Sequence, residues 1–278
     1  MTPRITVSFI SNVWRPETMT EQAVLMETRE AVAVVTINAY AMRNSMGAPG
    51  VREGLLEAME RFENDDSLRV MVLTGAGGVF SAGGNLDALR RIRDVEKIRQ
   101  RLEAGGPLLQ RILTSEKLYI AAVEGPAFGA GLGLAACCDL MVAAEGARFC
   151  AAQIRVGAAP DGALWWALPF RVGAGRARRI LLTGEEVSLD EAIHIGLADV
   201  RVEQGAALEA ALKHARRLAA GPPLAQATIK RLFTALPVDL VERLRVERET
   251  AAETFASEDF VEGASAFLEK RRPHFRGC

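Results

Sequence analysis

The chain has 278 residues, of which 49% are hydrophobic and 25% charged, a balance that fits a folded enzyme-sized domain and excludes a disordered or collagen-like chain. A formal net charge of -1 leaves no basic footprint for neutralising phosphates, so nucleic acid is not an expected partner.

Residues 1–22 carry no periodicity and read as an arm; polar breaks at Ser8, Asn12 and Arg15 remove the apolar core expected of a secretory leader. Short β-rich runs at Val24 to Glu27 and Val32 to Ile37 predict a hairpin that opens the domain. Apolar residues at helical spacing over Val51 to Phe62, ending in Asn64-Asp65-Asp66, predict an amphipathic helix. Val70 to Leu73, Leu118 to Val123 and Leu140 to Ala143 are continuous apolar runs of the length expected for strands buried on both faces. This alternation of strands and helices predicts α/β architecture. The apolar stretch from Gly125 to Cys138 is Gly-rich and shorter than the roughly 18 residues a membrane span needs, so no membrane association is expected. From about residue 205 only helices are predicted, over Leu208 to Ala219, Leu224 to Leu236 and Val238 to Phe255, punctuated by Gly221-Pro222-Pro223 and Pro237. The expected organisation is therefore an arm (1–22), an α/β core (23–204) and a C-terminal helical region (205–278) serving as a lid or an oligomerisation element.

Cys137 and Cys138 are adjacent in an apolar run, and with Cys150 and Cys278 they read as thiols in a reducing cytoplasm rather than as a disulfide framework. Three histidines, with neither HExxH nor CxxC, supply no obvious metal ligand set, and no metal is expected. Glycine clusters follow predicted strands at Gly75 to Gly78, Gly83-Gly84 and Gly129-Ala130-Gly131-Leu132-Gly133. A dinucleotide fingerprint would need a glycine where Leu134 stands. Loops that open helices after buried strands have another use: their backbone N–H groups are unpaired donors, and two of them make an oxyanion hole.

Phe80-Ser81-Ala82-Gly83-Gly84-Asn85-Leu86 and the stretch from Ile120 to Asp139 resemble the two oxyanion loops of the crotonase superfamily. The likeness extends to Arg43-Asn44-Ser45-Met46, Leu182 to Glu185, Ala192 to Leu197 and Phe267 to Pro273. It implies a crotonase-like spiral of repeated ββα units with a C-terminal helical oligomerisation region, a homotrimer or hexamer, and an acyl-CoA substrate. Coenzyme A would be carried as part of that substrate, with no separate cofactor. It also implies that the N–H groups of Gly84 and Ala130 receive the thioester oxygen, that Ala82 and Gly83 let the thioester approach, and that Arg43 and Lys270 meet the coenzyme A nucleotide. A solvated surface cation is the competing reading of Arg43 and of Lys270.

Hydratases of this superfamily use two glutamates, and this chain has Gly133 and Gln153 at the matching positions. Gln153 is then a substrate-binding position. Asp161, in Pro160-Asp161-Gly162, is similar to the carboxylate of dienoyl-CoA isomerases and of the ring-epoxide and oxepin isomerases of phenylacetate degradation, a likeness reinforced by Trp165-Trp166-Ala167-Leu168-Pro169. Pro-Asp-Gly is also a turn signal in its own right. As a catalyst Asp161 would take an allylic proton and return it two carbons away, and neighbouring Ala, Val and Trp side chains are expected to bury it. A dehalogenase of the same fold would use an aspartate nucleophile but needs a histidine base ahead of the second loop, and none precedes His194. The reading is an acyl-CoA isomerase acting through Asp161. The alternatives are an enoyl-CoA hydratase and an acyl-CoA-binding module that has lost its catalytic carboxylates.

Overall fold

The computed structural model describes residues 22–234 and 239–278. The arm read at 1–22 falls outside them except for its last position, as do the predicted helix end at 235–236, the break at Pro237 and the helix start at 238.

Strands β1 (Val24–Arg29) and β2 (Val32–Ile37) form the predicted antiparallel hairpin. Helix α1 (Val51–Glu63) buries Val51, Leu55, Ala58, Met59 and Phe62, the stripe that helical spacing puts on one face. It leads to β3 (Val70–Gly75), which pairs in parallel with β2. Three helices follow that are not among the expected elements: α2 (Leu86–Leu89), α3 (Val95–Glu103) and α4 (Gly106–Thr114). Helix α3 carries Val95, Ile98 and Leu102 at helical spacing but buries none of them, while α4 sets Leu108, Leu109, Ile112 and Leu113 on one side and buries Leu108 and Ile112.

The chain then runs through β4 (Leu118–Val123), β5 (Pro126–Phe128) and α5 (Ala130–Cys137), and again through β6 (Leu140–Ala144), β7 (Arg148–Cys150) and α6 (Leu164–Val172). Each turn is a ββα unit, with its first strand in the long sheet and its second in a short one, which is the expected spiral. Helix α7 (Ala174–Thr183), β8 (Val187–Ser188), α8 (Leu189–Ile195) and β9 (Val200–Val202) complete it. The long sheet has the order β1-β2-β3-β4-β6-β9 and the short one β5-β7-β8.

Strand alternation divides the core. Ala33, Val35, Met71, Leu73, Tyr119, Ala121, Met141 and Ala143 face one side, with α1 and α5. Val32, Val34, Val70, Val72, Ile120, Ala122 and Val142 face the other, against Ala207, Ala211, Leu212 and Ala215 of α9 (Ala207–Ala219). Helix α9 therefore closes the second face of the sheet, although it lies beyond the boundary expected at residue 204. Glu124 fastens it, accepting the Ala207 N–H at 3.1 Å.

Helices α10 (Pro223–Thr234), α11 (Leu240–Phe255) and α12 (Glu258–Glu269) follow. Lys230 of α10 is buried and donates to Asp139 Oδ2 at 2.9 Å, and the same oxygen accepts the Tyr119 N–H at 2.8 Å. One carboxylate thus ties α10 to the start of β4. Among the described residues no helix is long and apolar enough to cross a membrane.

Candidate active site

The first loop leaves β3 and is held by the segment that precedes α1. Asn44 is fully buried, and its Nδ2 donates to the carbonyls of Ala76 (2.9 Å) and Val79 (2.6 Å) while its Oδ1 accepts the Ala39 N–H. The Ser45 hydroxyl and the Met46 N–H both donate to the Gly83 carbonyl at 2.8 Å. Arg43 is exposed, and its carbonyl accepts the Ala82 N–H at 3.0 Å. The motif from Arg43 to Met46 is thus a cradle for Ala82 and Gly83, a role that its likeness to the superfamily does not by itself spell out.

The second loop runs from β5 into α5 and packs on the first through a bridge between Ser81 and Ala127. Gly83 has φ +88°, and a Cβ there would lie 2.6 Å from the Phe128 carbonyl oxygen and 3.2 Å from the Ala130 nitrogen. Only glycine fits so close an approach in that conformation. Gly84, the next residue, and Ala130, the first residue of α5, carry backbone N–H groups that have no hydrogen-bond partner among the described residues. Two free donors on loops in contact can donate to one oxygen and stabilise negative charge developing on it.

The third component is the loop at 157–163. Gln153 Nε2 donates to Asp161 Oδ1 at 2.7 Å, which fixes the carboxylate and leaves Oδ2 without a partner among the described residues. Gln153 Oε1 is buried and also lacks one. The carbonyl of Gly162 presses on Gly133 in the middle of α5: a Cβ at Gly133 would lie 1.9 Å from that oxygen. Asp161 is half-buried. The expected burial by tryptophan is not found, because Trp165 and Trp166 are exposed, with Trp165 Nε1 donating to the Pro160 carbonyl.

Asp161, Ala130, Met46, Leu109 and Leu113 line one cavity of about 370 Å³. Arg52 of α1 lines it too, a residue to which no sequence signal pointed. Lys270 caps the C-terminus of α12 and is exposed; no hydrogen bond or ion pair among the described residues links it to the loops. A larger groove of about 620 Å³ is lined by Asp139, Trp166, Phe170, Lys230 and Phe233 and includes none of the loop residues. The buried thiols are not candidate nucleophiles, since burial pushes Cys137 up to about 12 and Cys138 higher still.

The model of the enoyl-CoA hydratase/isomerase family matches residues 27–278. A short-chain-enoyl-CoA hydratase of Clostridium acetobutylicum is 30% identical, across 90% of this chain and 95% of its own length. A 1,2-epoxyphenylacetyl-CoA isomerase of Escherichia coli is 32% identical, across 91% and 98%. The crystal structure of an enoyl-CoA hydratase from Polaromonas sp. JS666 superposes with a TM-score of 0.86 at 35% identity, covering 91% of this chain and 99% of that one. The chain belongs to the enoyl-CoA hydratase/isomerase family, and its fold is that of the crotonase superfamily.

The contact between Gly162 and Gly133 makes a testable prediction. Gly133→Ala overpacks the helix against a backbone carbonyl and is expected to destabilise the protein by about 1–3 kcal/mol. Gly175→Ala, in a helix with open space around the position, is expected to be neutral or stabilising by up to about 1 kcal/mol. Thermal unfolding of the two variants beside the wild type reads the difference directly.

Proposed function

We propose that this family member is an acyl-CoA thioester isomerase with Asp161 as its acid and base. The observation that carries this reading is the pair of positions where hydratases hold glutamates. Gly133 is sealed by the Gly162 carbonyl, and Gln153 is an amide committed to Asp161. Neither can move a proton at neutral pH, and Asp161 is the carboxylate in the cavity beside Ala130.

In the proposed reaction the Asp161 carboxylate removes a proton from C2 of a 3-enoyl thioester. The electron pair passes to the thioester oxygen as a dienolate, held by the N–H groups of Gly84 and Ala130, each contributing about 3 kcal/mol by oxyanion-hole precedent. The protonated Asp161 then delivers the same proton to C4, giving the 2-enoyl thioester. Gln153 holds Oδ1 so that the other oxygen meets the substrate. Ala82 and Gly83 supply close approach, Arg43 and Lys270 are assigned to the coenzyme A nucleotide, and no separate cofactor is invoked. A second reading, addition of water across a 2-enoyl-CoA, is supported by the hydratase designation of the Clostridium relative.

We also propose a homotrimer or a dimer of trimers in a reducing cytoplasm. Trp166, Phe170 and Phe233 are exposed apolar side chains along the large groove, a surface suited to cover by a neighbouring subunit, and all four cysteines are unpaired. Sedimentation is expected to give a multiple of three chains; a stable 30.0 kDa species at micromolar concentration contradicts the assembly.

Asp161→Asn preserves size and the contact with Gln153 while removing the base, so turnover of a 3-enoyl-CoA is expected to fall by at least about 100-fold with affinity retained. Gln153→Ala is expected to cost far less, about tenfold, for the lost hydrogen bond to a charged group. Steady-state assays on 3-enoyl-CoA and 2-enoyl-CoA with the wild type and both variants test this. Efficient hydration by the wild type, with isomerase rate surviving in Asp161→Asn, rejects the mechanism.

A further inference from the structure

The cavity beside Asp161 has walls formed largely by Met46, Leu102, Leu109 and Leu113, yet it holds one cation, Arg52. Of its other polar walls, the Thr114 hydroxyl donates to the Gln110 carbonyl and the Thr234 hydroxyl to that of Leu113, both at 2.9 Å, while Asp161 keeps its Oδ2 unpartnered among the described residues. Arg52 donates from Nη1 to the Arg101 carbonyl at 3.1 Å, which uses one of the five N–H donors of a guanidinium. No carboxylate lies within ion-pair distance of it among the described residues. Burial and the neighbouring positive charge of Arg101 both lower the Arg52 pKa, opposed by the charges of Glu53 and Asp161. A guanidinium stays charged regardless; at this half-buried site the charges of Glu53 and Asp161 offset it in part, and its N–H donors other than the one on Arg101 have no hydrogen-bond partner among the described residues.

We infer that the acyl group accepted by this cavity carries a second carboxylate at its far end, paired with Arg52. The substrate class is then the coenzyme A thioesters of unsaturated dicarboxylic acids. This rests on the proposed acyl-CoA site and adds its specificity. An unbranched monocarboxylic chain would set apolar carbons against those N–H donors and leave Arg52 only the charges of Glu53 and Asp161, neither within ion-pair distance. A distal carboxylate accepts two of its free N–H donors in a bidentate pair, with the thioester oxygen at Gly84 and Ala130 and the reacting carbons at Asp161. A cavity of about 370 Å³ falls at the lower end of the ordinary range for small-molecule sites, which suits a short chain.

The test is isothermal titration of the full-length protein with two saturated thioesters of equal chain length, hexanoyl-CoA and adipoyl-CoA, which differ by the distal carboxylate. Wild type is expected to bind adipoyl-CoA about tenfold more tightly, the lower end of what a charge-assisted pair contributes at a half-buried site. Arg52→Met is expected to erase that preference and Arg52→Lys to keep part of it. Equal affinities in the wild type, or tighter binding of hexanoyl-CoA, overturn the inference, and this comparison needs no variant to fold. A preference that survives in Arg52→Met overturns it too, as does an equal loss for both ligands, which would put the guanidinium on the coenzyme A moiety or in the scaffold. Neither ligand has a double bond, so an absence of isomerase turnover leaves this readout intact, and an absent preference leaves the Asp161 chemistry standing.

Discussion

The Gly162 carbonyl resting on Gly133 is the contact on which the site depends. It packs the loop at 157–163 onto the middle of α5, the helix whose first residue is Ala130, and so brings Asp161 to the cavity that Ala130 lines. It also removes any space for a side chain at Gly133. A carboxylate at that position and the present path of the Asp161 loop are therefore mutually exclusive, and the chain has taken the second. Ala130 itself is approached on the same side, since a Cβ at Gly162 would lie 3.3 Å from its Cα. Ala130 and the Asp161 loop are fixed relative to each other by backbone packing, and the hydrogen bond from Gln153 sets the carboxylate on that frame.

The first loop is fixed by a different means. Asn44 and Ser45 are buried polar residues whose hydrogen bonds end on loop carbonyls and on the Ala39 N–H, and buried polar groups satisfied in this way rigidify what they touch. Gly83 then lets the first loop lie against Phe128 and Ala130 of the second. Behind both loops stand strands β3 and β4, buried on both faces, and α9 seals the far side of the sheet. The apolar core thus carries the loops, and the loops carry the unpaired N–H groups. The isomerase reading draws on this division, because backbone donors at Gly84 and Ala130 serve any reaction of an enolate, whereas the carboxylate at Asp161 selects among such reactions.

Much of this was legible in the sequence for identifiable reasons. Val70 to Leu73 and Leu118 to Val123 are strands covered on both sides, so their composition alone gives them away. The glycine loops were legible because close backbone approach tolerates few other residues. Helices α3 and α4 are not among the expected elements although both set apolar residues at helical spacing; they lie between the glycine loops and β4. The exposure of Trp165 and Trp166 ran against the apolar reading of their segment, because that helix turns its other side, Leu164, Ala167 and Leu168, to the core. Arg52 was invisible for a further reason: it stands beside a buried stripe on an amphipathic helix, where a charged residue is ordinary, and only the fold brings it to the cavity of Asp161. Pairs of that kind, far apart in the chain and close in space, leave no periodic trace.

The most direct measurement follows the proton itself. A 3-enoyl-CoA deuterated at C2 is converted in ordinary water under single-turnover conditions, and the product is read by NMR or mass spectrometry. One half-buried carboxylate acting as both base and acid returns part of the label before it exchanges with solvent. The account therefore predicts 2-enoyl-CoA with a measurable fraction of deuterium at C4. A 3-hydroxyacyl-CoA product, with no label transferred from C2 to C4, would contradict it.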